Sequence, residues 1–464
     1  MDLNKKIAEL MNGGPLETKL QTFKQMIKKG DLKKVPIEDI VNFSPILKRL
    51  MDLYKETTDA PDEFLATSGL VMISTVLGNQ TYIMYGSAKI YPHLWVVLVG
   101  DSSYYRKTTA LNLTTNAVAS MKFPAQWADH RLESSNGEGQ VGEPVLQVIR
   151  SGEQLLAPNG FSLALLLEEL QERPSMLMAH SEFASLLTEI EKTYNLGAKE
   201  ALTDMYDSGR HVKFNKTIKA ENKGKPIIIN ETAIAIYSAS TRHWLQDHIK
   251  PSDIGSGFMA RFLFVPANKK TRSHGWPKTM DETTYNIIKS EIASLRRSVK
   301  GEFDVSAVKP FYELWYLDLM KRAQQEEDIS EKIGFDSRLS IYALKFSIIL
   351  HASKYGNTIL TLDSLVHGIQ LAEYFRGKTK ELFQTTFLSK FEKNVRRVAE
   401  YIYRNDHAIT NRKLQQRAGS YGIRAMEFKE ILEILEDEGD VHWDHEGKAT
   451  ISYASKFLKG VIKR

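Results

Sequence analysis

The sequence predicts an α/β fold whose core is a mostly parallel β-sheet. Apolar or β-prone runs alternate with stretches of helical periodicity, and this alternation is typical of parallel sheets whose strands are connected by helices. The runs lie at 94–99, 175–179, 227–237 and 262–266. A helical stretch at 306–385 and a small separate unit at 392–453 follow this core.

The remaining elements follow from the spacing of apolar residues and from breakers. Residues 1–45 read as short helices of mixed charge, and 46–78 as two helices. The segment 79–99 predicts a hairpin that leads into a buried strand. Helices are predicted at 161–171 and 182–195, and 124–160 is polar and glycine-rich at its centre, which indicates a flexible loop or an insertion.

Composition limits the kinds of protein this chain can be. The 464 residues include no cysteine, which excludes disulfides and thiolate-metal sites. No apolar run approaches the ~18 residues of a membrane span, and the first residues lack the apolar core of a signal peptide. We therefore expect a cytoplasmic protein without a membrane. The net charge is only +5, so nucleic-acid binding would depend on local basic patches.

The segment 94–111, LWVVLVGDSSYYRKTTAL, predicts a phosphate-binding loop between a buried strand and a helix. Lys107 would contact the β- and γ-phosphates of ATP, and the Thr108 hydroxyl would bind Mg²⁺. Seven positions separate Gly100 from Lys107 instead of six, and Arg106 occupies the usual glycine position. The alternative is an ordinary strand–turn–helix. The nucleotide-binding candidates from this loop are Gly100, Ser102, Ser103, Arg106, Lys107, Thr108 and Thr109.

Two later strands end in polar residues that suit the same chemistry. Glu182 follows the strand MLMA and is a candidate for the carboxylate that activates water and helps to hold Mg²⁺. Ser181 stands where an aspartate is usual, and Glu182 could instead cap the helix that follows. Ser238 or Ser240, at the end of the next strand, could contact the γ-phosphate.

Two arginines are candidates for contacts with phosphate. Arg261 lies between a glycine-rich turn and a buried strand, where an arginine is costly unless it meets an anion. An intramolecular salt bridge is the alternative. Arg338 opens an apolar helix, where the macrodipole disfavours a cation. A bound phosphate or an acidic neighbour would explain its position.

In this order, these motifs resemble the AAA+ cores of minichromosome-maintenance-type and related viral replicative helicases. More closely, 46–385 is similar to phage and mobile-element P-loop proteins described as primase-helicase associated. The resemblance implies an AAA+-like ATPase core, a helical lid, and a hexameric ring with ATP at each subunit interface. It also implies that Arg261 is an arginine finger for the neighbouring subunit and Arg338 a second sensor arginine. The implied regions are 1–45 (helical segment), 46–300 (core), 301–388 (lid) and 389–464 (winged-helix domain).

Two basic regions are candidates for binding DNA. The segment 210–225 predicts a β-hairpin with a cationic tip, which in ring helicases of the resembled type would lie in the pore. A solvated surface hairpin is the alternative. The C-terminal unit has a winged-helix pattern, but its third helix is acidic, so its second helix is the better DNA face. A protein contact is nearly as plausible there. The candidates are Lys213, Lys216, Lys219, Lys223, Lys225, Arg412, Lys413 and Arg417.

These features predict an ATP- and Mg²⁺-dependent DNA translocase or helicase that replicates a mobile element or phage. Its expected partners are single-stranded DNA in the pore, further copies of the chain, and a primase or another replication protein. The alternative is a nucleotide-gated initiator, loader or defence protein with weak hydrolysis. The histidines show no metal-binding spacing.

Overall fold

A computed structural model gives the architecture of most of the chain. It describes residues 7, 10–12, 14–33, 35–101, 104–121, 155–157, 162–209, 211–214, 226–249, 257–267, 269–325, 335–386, 390–405, 409–437, 441–443 and 448–451. The chain forms two compact units, Met1–Leu382 and Phe383–Arg464. Within the described residues, no helix is long and apolar enough to cross a membrane.

The first unit combines helices with a central sheet. Its helices before the sheet's second strand are α1 (Leu16–Lys29), α2 (Ile37–Val41), α3 (Pro45–Thr57), α4 (Asp62–Leu77), α5 (Lys107–Ser120) and α6 (Leu163–Glu172). Those that follow are α7 (Phe183–Glu191), α8 (Ala198–Ser208), α9 (Arg242–His248), α10 (Glu282–Ser298), α11 (Lys309–Gln325), α12 (Phe335–Tyr355) and α13 (Leu362–Thr386), which continues past the unit boundary. Its strands are β1 (Thr81–Tyr85), β2 (Ala88–Ile90), β3 (Trp95–Val99), β4 (Ser175–His180), β5 (His211–Phe214), β6 (Pro226–Ile229), β7 (Ala233–Ser240), β8 (Leu263–Pro266) and β9 (Gly301–Glu302).

The central sheet has the order β4-β7-β3-β8, and every pair in it is parallel. All residues of β3, β7 and β8 are buried, as expected for a parallel sheet covered on both faces. Leu156 adds a parallel bridge beside Leu177 of β4. The predicted α/β class with a parallel sheet is therefore confirmed.

Helix α4 packs against the sheet through a continuously buried surface. Residues 64–77 of this helix are all buried. The Ser68 hydroxyl hydrogen-bonds to the Tyr237 hydroxyl of β7 at 2.8 Å, and Thr114 of α5 donates to the Ser68 carbonyl at 3.0 Å. At Gly69, an added Cβ would lie 2.7 Å from Leu47 Cδ2, so the absence of a side chain lets α3 and α4 pack closely.

The run 227–237, predicted as β-prone, forms two strands. It divides between β6, which pairs with β5, and β7, which joins the central sheet. The break lies at Glu231, whose φ of 53° is in the left-handed region and whose carboxylate pairs with Lys89. Because the chain turns here, the two halves of one apolar run belong to different sheets.

The predicted helical stretch 306–385 contains the long helices α11, α12 and α13. They belong to the same compact unit as the sheet. The short strand β9 pairs in parallel with β1, and Asp304 forms a bridge with Ile359. A separate lid over 301–388 stays a prediction.

From residue 390 to residue 451, the described part of the second unit contains three helices and a small antiparallel sheet. Its elements are α14 (Lys390–Arg404), β10 (Ile409–Thr410), α15 (Asn411–Ser420), α16 (Ala425–Asp437), β11 (Val441–Trp443) and β12 (Lys448–Ile451). The strand order is β10-β12-β11. Apolar residues of all three helices, among them Val398, Leu414 and Ile431, form its core. A winged-helix assignment remains a prediction that this order of elements suits.

Candidate nucleotide-binding site

The carboxyl ends of β3, β4 and β7 border one cleft. Because these strands are parallel, their carboxyl ends meet at the same edge of the sheet, where α/β proteins bind ligands. The cleft has a volume of about 470 Å³, within the usual range for small-molecule sites. Its lining comprises Arg106, Lys107, Thr108, Thr109, Ser181, Glu182, Phe183, Ala184, Ala239, Ser240, Thr241 and Trp244.

The predicted phosphate loop connects β3 to α5. Its first residue, Gly100, donates its amide to the Ser240 carbonyl at 3.2 Å. A Cβ at Gly100 would lie 3.0 Å from the Tyr105 ring, so this close approach favours glycine. Ser102 and Ser103 lie outside the described residues. The loop thus starts beside the end of β7 and ends at the first turn of α5.

Lys107 lies over the loop that precedes it. Its Nζ donates to the Gly100 carbonyl at 2.6 Å and to the Asp101 carbonyl at 3.0 Å. Burial lowers the pKa of Lys107, while the negative charges of Asp101 and Glu182 oppose this change. The ammonium is therefore held against the Gly100 and Asp101 carbonyls, close enough to Glu182 to interact with its charge.

The first turn of α5 faces the cleft. Thr108 and Thr109 both line it, and the side chain of the N-cap residue, Arg106, makes no capping hydrogen bond. The first amides of a helix lack intrahelical partners and carry the positive end of its dipole. Together with Lys107, they form a place for an anionic group.

Glu182 lies opposite this turn, at the start of α7. It occupies the N-cap position, but its side chain accepts no capping hydrogen bond. The capping alternative is therefore not realised through a hydrogen bond, and the carboxylate borders the cleft beside Ser181. Glu182 and Lys107 therefore line the same cleft.

The two candidate serines of β7 have different surroundings. Ser240 lines the cleft and donates its hydroxyl hydrogen to the Thr241 carbonyl at 3.3 Å. Ser238 is fully buried and donates to the His180 carbonyl at 2.8 Å, across to β4. Of the two, only Ser240 borders the cleft.

Arg106 adopts an unusual backbone conformation just before Lys107. Its φ of 52° and ψ of 35° are left-handed, a conformation that costs a non-glycine residue about 1–2 kcal/mol. Its Nε donates to Asp59 at 3.1 Å, and Lys270 donates to the other oxygen of Asp59 at 2.6 Å. Burial alone would raise the pKa of Asp59, but these hydrogen bonds outweigh it and lower the pKa.

Sequence reasoning missed Asp59 and Lys270. Asp59 lies 47 positions before Arg106, and Lys270 lies 211 positions after Asp59. Neither belongs to a local pattern that indicates contact with the phosphate loop. The sequence contained one signal here: Arg106 occupies a position at which such loops usually have a glycine.

The two candidate arginines share one carboxylate. Arg261 and Arg338 both pair with Asp207 at the end of α8, Arg338 at 2.7 Å. Burial would raise the pKa of Asp207, but the hydrogen bonds from both arginines lower it. Arg261 is buried, its Nε has no hydrogen-bond partner among the residues that the structure describes, and its backbone carbonyl accepts from Tyr342. The intramolecular pairing left open by the sequence is thus present for both.

This arginine pair lies away from the chain's own cleft. Arg261 precedes β8, whereas the cleft residues follow β3, β4 and β7. The arginine therefore lies at the amino edge of the sheet and the cleft at the carboxyl edge. The length of β3 separates these edges, which is five residues or about 16 Å at 3.3 Å per residue. Neither arginine lines the cleft.

The candidate DNA-binding residues are described in part. Strand β5 lies in the segment 210–225 and pairs antiparallel with β6, which follows that segment, so a hairpin formed within 210–225 stays a prediction. Lys213 lies in β5 at the register position opposite Ile227. Lys216, Lys219, Lys223 and Lys225 lie outside the described residues. In the second unit, Arg412, Lys413 and Arg417 are exposed on α15.

The donor set of the cleft fits a magnesium–nucleotide complex. Among the described residues, no cluster of three or more histidines and carboxylates could hold a metal alone. Mg²⁺ often needs only one or two protein oxygens when phosphates complete its coordination. The Thr108 hydroxyl and the Glu182 carboxylate border the cleft beside the anion-binding turn.

Comparison with known proteins adds little to this geometry. No protein-family model matches the sequence, and no curated protein matches it. Among solved structures, the chain is similar to ORC2 of Aeropyrum pernix in ADPNP–ADP complexes, at 16% identity over 77% of this chain and 83% of that chain. The TM-score is 0.22, and a similarity this low carries no argument about fold or function.

Proposed function

We propose that the chain binds ATP with Mg²⁺ in this cleft and hydrolyses it. The observation that carries the proposal is the meeting of Lys107, the first turn of α5 and Glu182 around one cleft at the carboxyl edge of a parallel sheet. An anion site, a cation and a base are the parts that phosphoryl transfer to water requires.

Each side chain has a distinct role in this proposal. Lys107 releases the loop carbonyls and neutralises charge on the β- and γ-phosphates. Thr108 and Glu182 supply protein oxygens to Mg²⁺, which would withdraw charge from the phosphates. Glu182 orients the attacking water and accepts its proton. Ser240 provides a hydroxyl at the γ-phosphate end of the cleft.

We further propose that subunits assemble in an AAA+-like ring that moves along DNA. Arg261 and Arg338 lie at the sheet edge away from their own cleft, a position that suits contact with a nucleotide on a neighbouring subunit. Arg338 is the more exposed of the two. The basic segment between β5 and β6 would then face DNA in the pore, and the phosphates would be contacted without reading bases.

A nucleotide-gated initiator or loader with weak hydrolysis is the second candidate. The observation that favours it is Ser181, which lines the cleft where a carboxylate would strengthen the hold on Mg²⁺. The pairing of both arginines with Asp207 favours it as well, since paired arginines do not stabilise a transition state elsewhere. Steady-state ATPase with and without single-stranded DNA separates the two functions.

The test of nucleotide binding is the variant Lys107→Ala. Loss of the ammonium removes a positive charge from beside the phosphates. Titration with a fluorescent ATP analogue should therefore show that binding is abolished, or the steady-state ATPase assay should show that turnover is lost. Lys278→Ala is the matched control, because Lys278 is an exposed lysine of the same unit, 71% exposed and paired with Glu56. Unchanged ATP affinity and turnover in a folded Lys107→Ala protein would refute the site.

Assembly is tested by imaging the particle with an ATP analogue and DNA. The translocase proposal expects a closed ring with DNA in its centre. Monomers, or an open assembly that holds duplex DNA, would favour the initiator.

A further inference from the structure

The second unit carries an exposed cluster of arginine and tyrosine side chains, which we call the Arg–Tyr cluster. It comprises Arg397 and Tyr401 of α14, Arg417 of α15, and Tyr421 just after α15. Arg417 Cζ lies 4.9 Å from the Tyr421 ring centroid and 5.4 Å from that of Tyr401. Arg397 Cζ lies 5.8 Å from the Tyr421 centroid. Guanidinium groups and rings therefore alternate in the order Arg397, Tyr421, Arg417, Tyr401.

Helical spacing explains the alternation. Arg397 and Tyr401 are four positions apart on α14, and Arg417 and Tyr421 are four apart on and after α15, so each pair shares a face. Neighbouring positions of both helices supply Val398 and the other apolar residues of the core, which fixes the helices. The tyrosines pack against this core, whereas both arginines are exposed. A hydrogen bond of 3.0 Å from Arg417 Nε to the Tyr421 hydroxyl adds to the order of the cluster.

Charge is unevenly distributed along this unit. Residues 390–424, which include α14 and α15, have nine Lys and Arg against three Asp and Glu. Residues 425–446, which include α16, have one Lys against nine Asp and Glu. An anionic partner is therefore attracted to the face with the cluster and repelled by α16. Lys413 extends the basic face by one turn from Arg417 and is exposed.

We propose that the Arg–Tyr cluster binds single-stranded nucleic acid, with unstacked bases against its guanidinium planes and rings. Bases stack on arginine and aromatic side chains irrespective of sequence, whereas a duplex hides the faces of its bases. An acidic protein would satisfy the charge but would make no use of the planar guanidinium groups and rings of the cluster. The cluster lies on α14 and α15 and leaves the acidic helix α16 free.

This site goes beyond the proposed ATPase function and does not depend on it. Stacking makes little use of the sugar, so DNA and RNA strands can bind in the same way. The experiment therefore compares a DNA strand with an RNA strand. The experiment uses the full chain with fluorescent oligothymidine and oligouridine strands, measured by anisotropy over a range of salt concentrations. A second measurement cross-links strands that contain 5-iodouracil and maps the modified peptides.

The decisive variant is Arg397→Lys combined with Arg417→Lys. It keeps both charges but removes the planar groups that stack. We expect the affinity for single strands to fall about tenfold, while the salt dependence stays the same because the phosphate contacts remain. Replacing both arginines with alanine should also reduce the salt slope by about 1.4, at about 0.7 per contact.

Arg404→Lys is the matched control. Arg404 lies on the same helix, is 69% exposed and pairs with Glu400 at 3.6 Å. This substitution should leave affinity unchanged. Cross-links should form at Tyr401 or Tyr421 in the native chain and also in Lys107→Ala, which separates this site from the ATPase.

Several results would overturn the proposal. They are full affinity in the double lysine variant, cross-links confined to other parts of the chain, tighter binding of a duplex than of a single strand, or no binding of either strand. Selective binding of an acidic peptide at the cluster would assign the surface to a protein partner instead.

Discussion

Replacing Asp59 with asparagine should weaken ATP binding by releasing the backbone of Arg106. Arg106 is held in a left-handed conformation next to Lys107, and Asp59 accepts a hydrogen bond from its side chain. Without this contact, the loop can relax from a conformation that costs a non-glycine residue about 1–2 kcal/mol. Since 1.4 kcal/mol is tenfold in an equilibrium constant, we expect a loss of about tenfold in ATP affinity.

A double-mutant cycle shows whether Asp59 acts through the loop. Glycine adopts the left-handed conformation without this cost, so in an Arg106→Gly background the further change Asp59→Asn should alter ATP affinity less than about twofold. Affinity is measured by titration with a fluorescent analogue for the native chain, both single variants and the double variant.

Thermal unfolding provides the control. Asp59 and Lys270 are 11% and 10% exposed, and removal of one partner of a buried ion pair is strongly destabilising. The melting temperature should therefore fall on Asp59→Asn in both backgrounds, although affinity falls in only one. An equal loss of affinity in both backgrounds would show that Asp59 supports the fold in general, and the reasoning on the loop would be refuted.

Three further predictions concern catalysis, assembly and pH. Glu182→Gln should bind ATP but hydrolyse it about a hundredfold more slowly, and near-normal phosphate release would show that the carboxylate is not the base. Arg261→Ala and Lys107→Ala chains, inactive alone, should regain partial ATPase when mixed; no gain in oligomers that exchange subunits would contradict a role across the interface. Burial lowers the pKa of His351 in the folded chain, so below a pH of about 6.5 the unfolded state binds more protons and stability falls, by up to about 1.4 kcal/mol per pH unit for each such histidine. His351→Gln should reduce the change in the free energy of unfolding per pH unit, measured by urea unfolding between pH 7 and 5. An unchanged dependence on pH would show that His351 does not cause it.

The strands of the central sheet could be predicted because they are short, apolar and buried on both faces. The runs at 94–99 and 262–266 correspond closely to β3 and β8. The β-prone run 227–237 also forms strands, but its apolar residues belong to two different sheets. The turn at Glu231 depends on a left-handed residue and on a distant lysine, Lys89, and neither produces a pattern in the local sequence.

The candidate site shows the same limit. Lys107 and Thr108 follow a strand within one motif, so the sequence could indicate them together, and Glu182 ends another strand at the same edge. The sequence could not indicate which residue pairs with Arg261 and Arg338. Asp207 lies 54 positions from Arg261 and 131 positions from Arg338, and only the folded chain brings these residues together.

The shared carboxylate of Asp207 constrains how the arginines could serve a neighbouring subunit. Arg261 is 5% exposed while Asp207 is 42% exposed, so an approaching phosphate would meet the carboxylate and Arg338 before it met Arg261. The negative charges of the phosphate and of Asp207 repel each other. A phosphate can therefore bind beside Asp207 only if the two arginines compensate for both negative charges. Of the two arginines, Arg338 would therefore be the first to contact an adjoining nucleotide. Arg261 can contribute only if its pair with Asp207 opens, which makes the opening of that pair a requirement for any finger role.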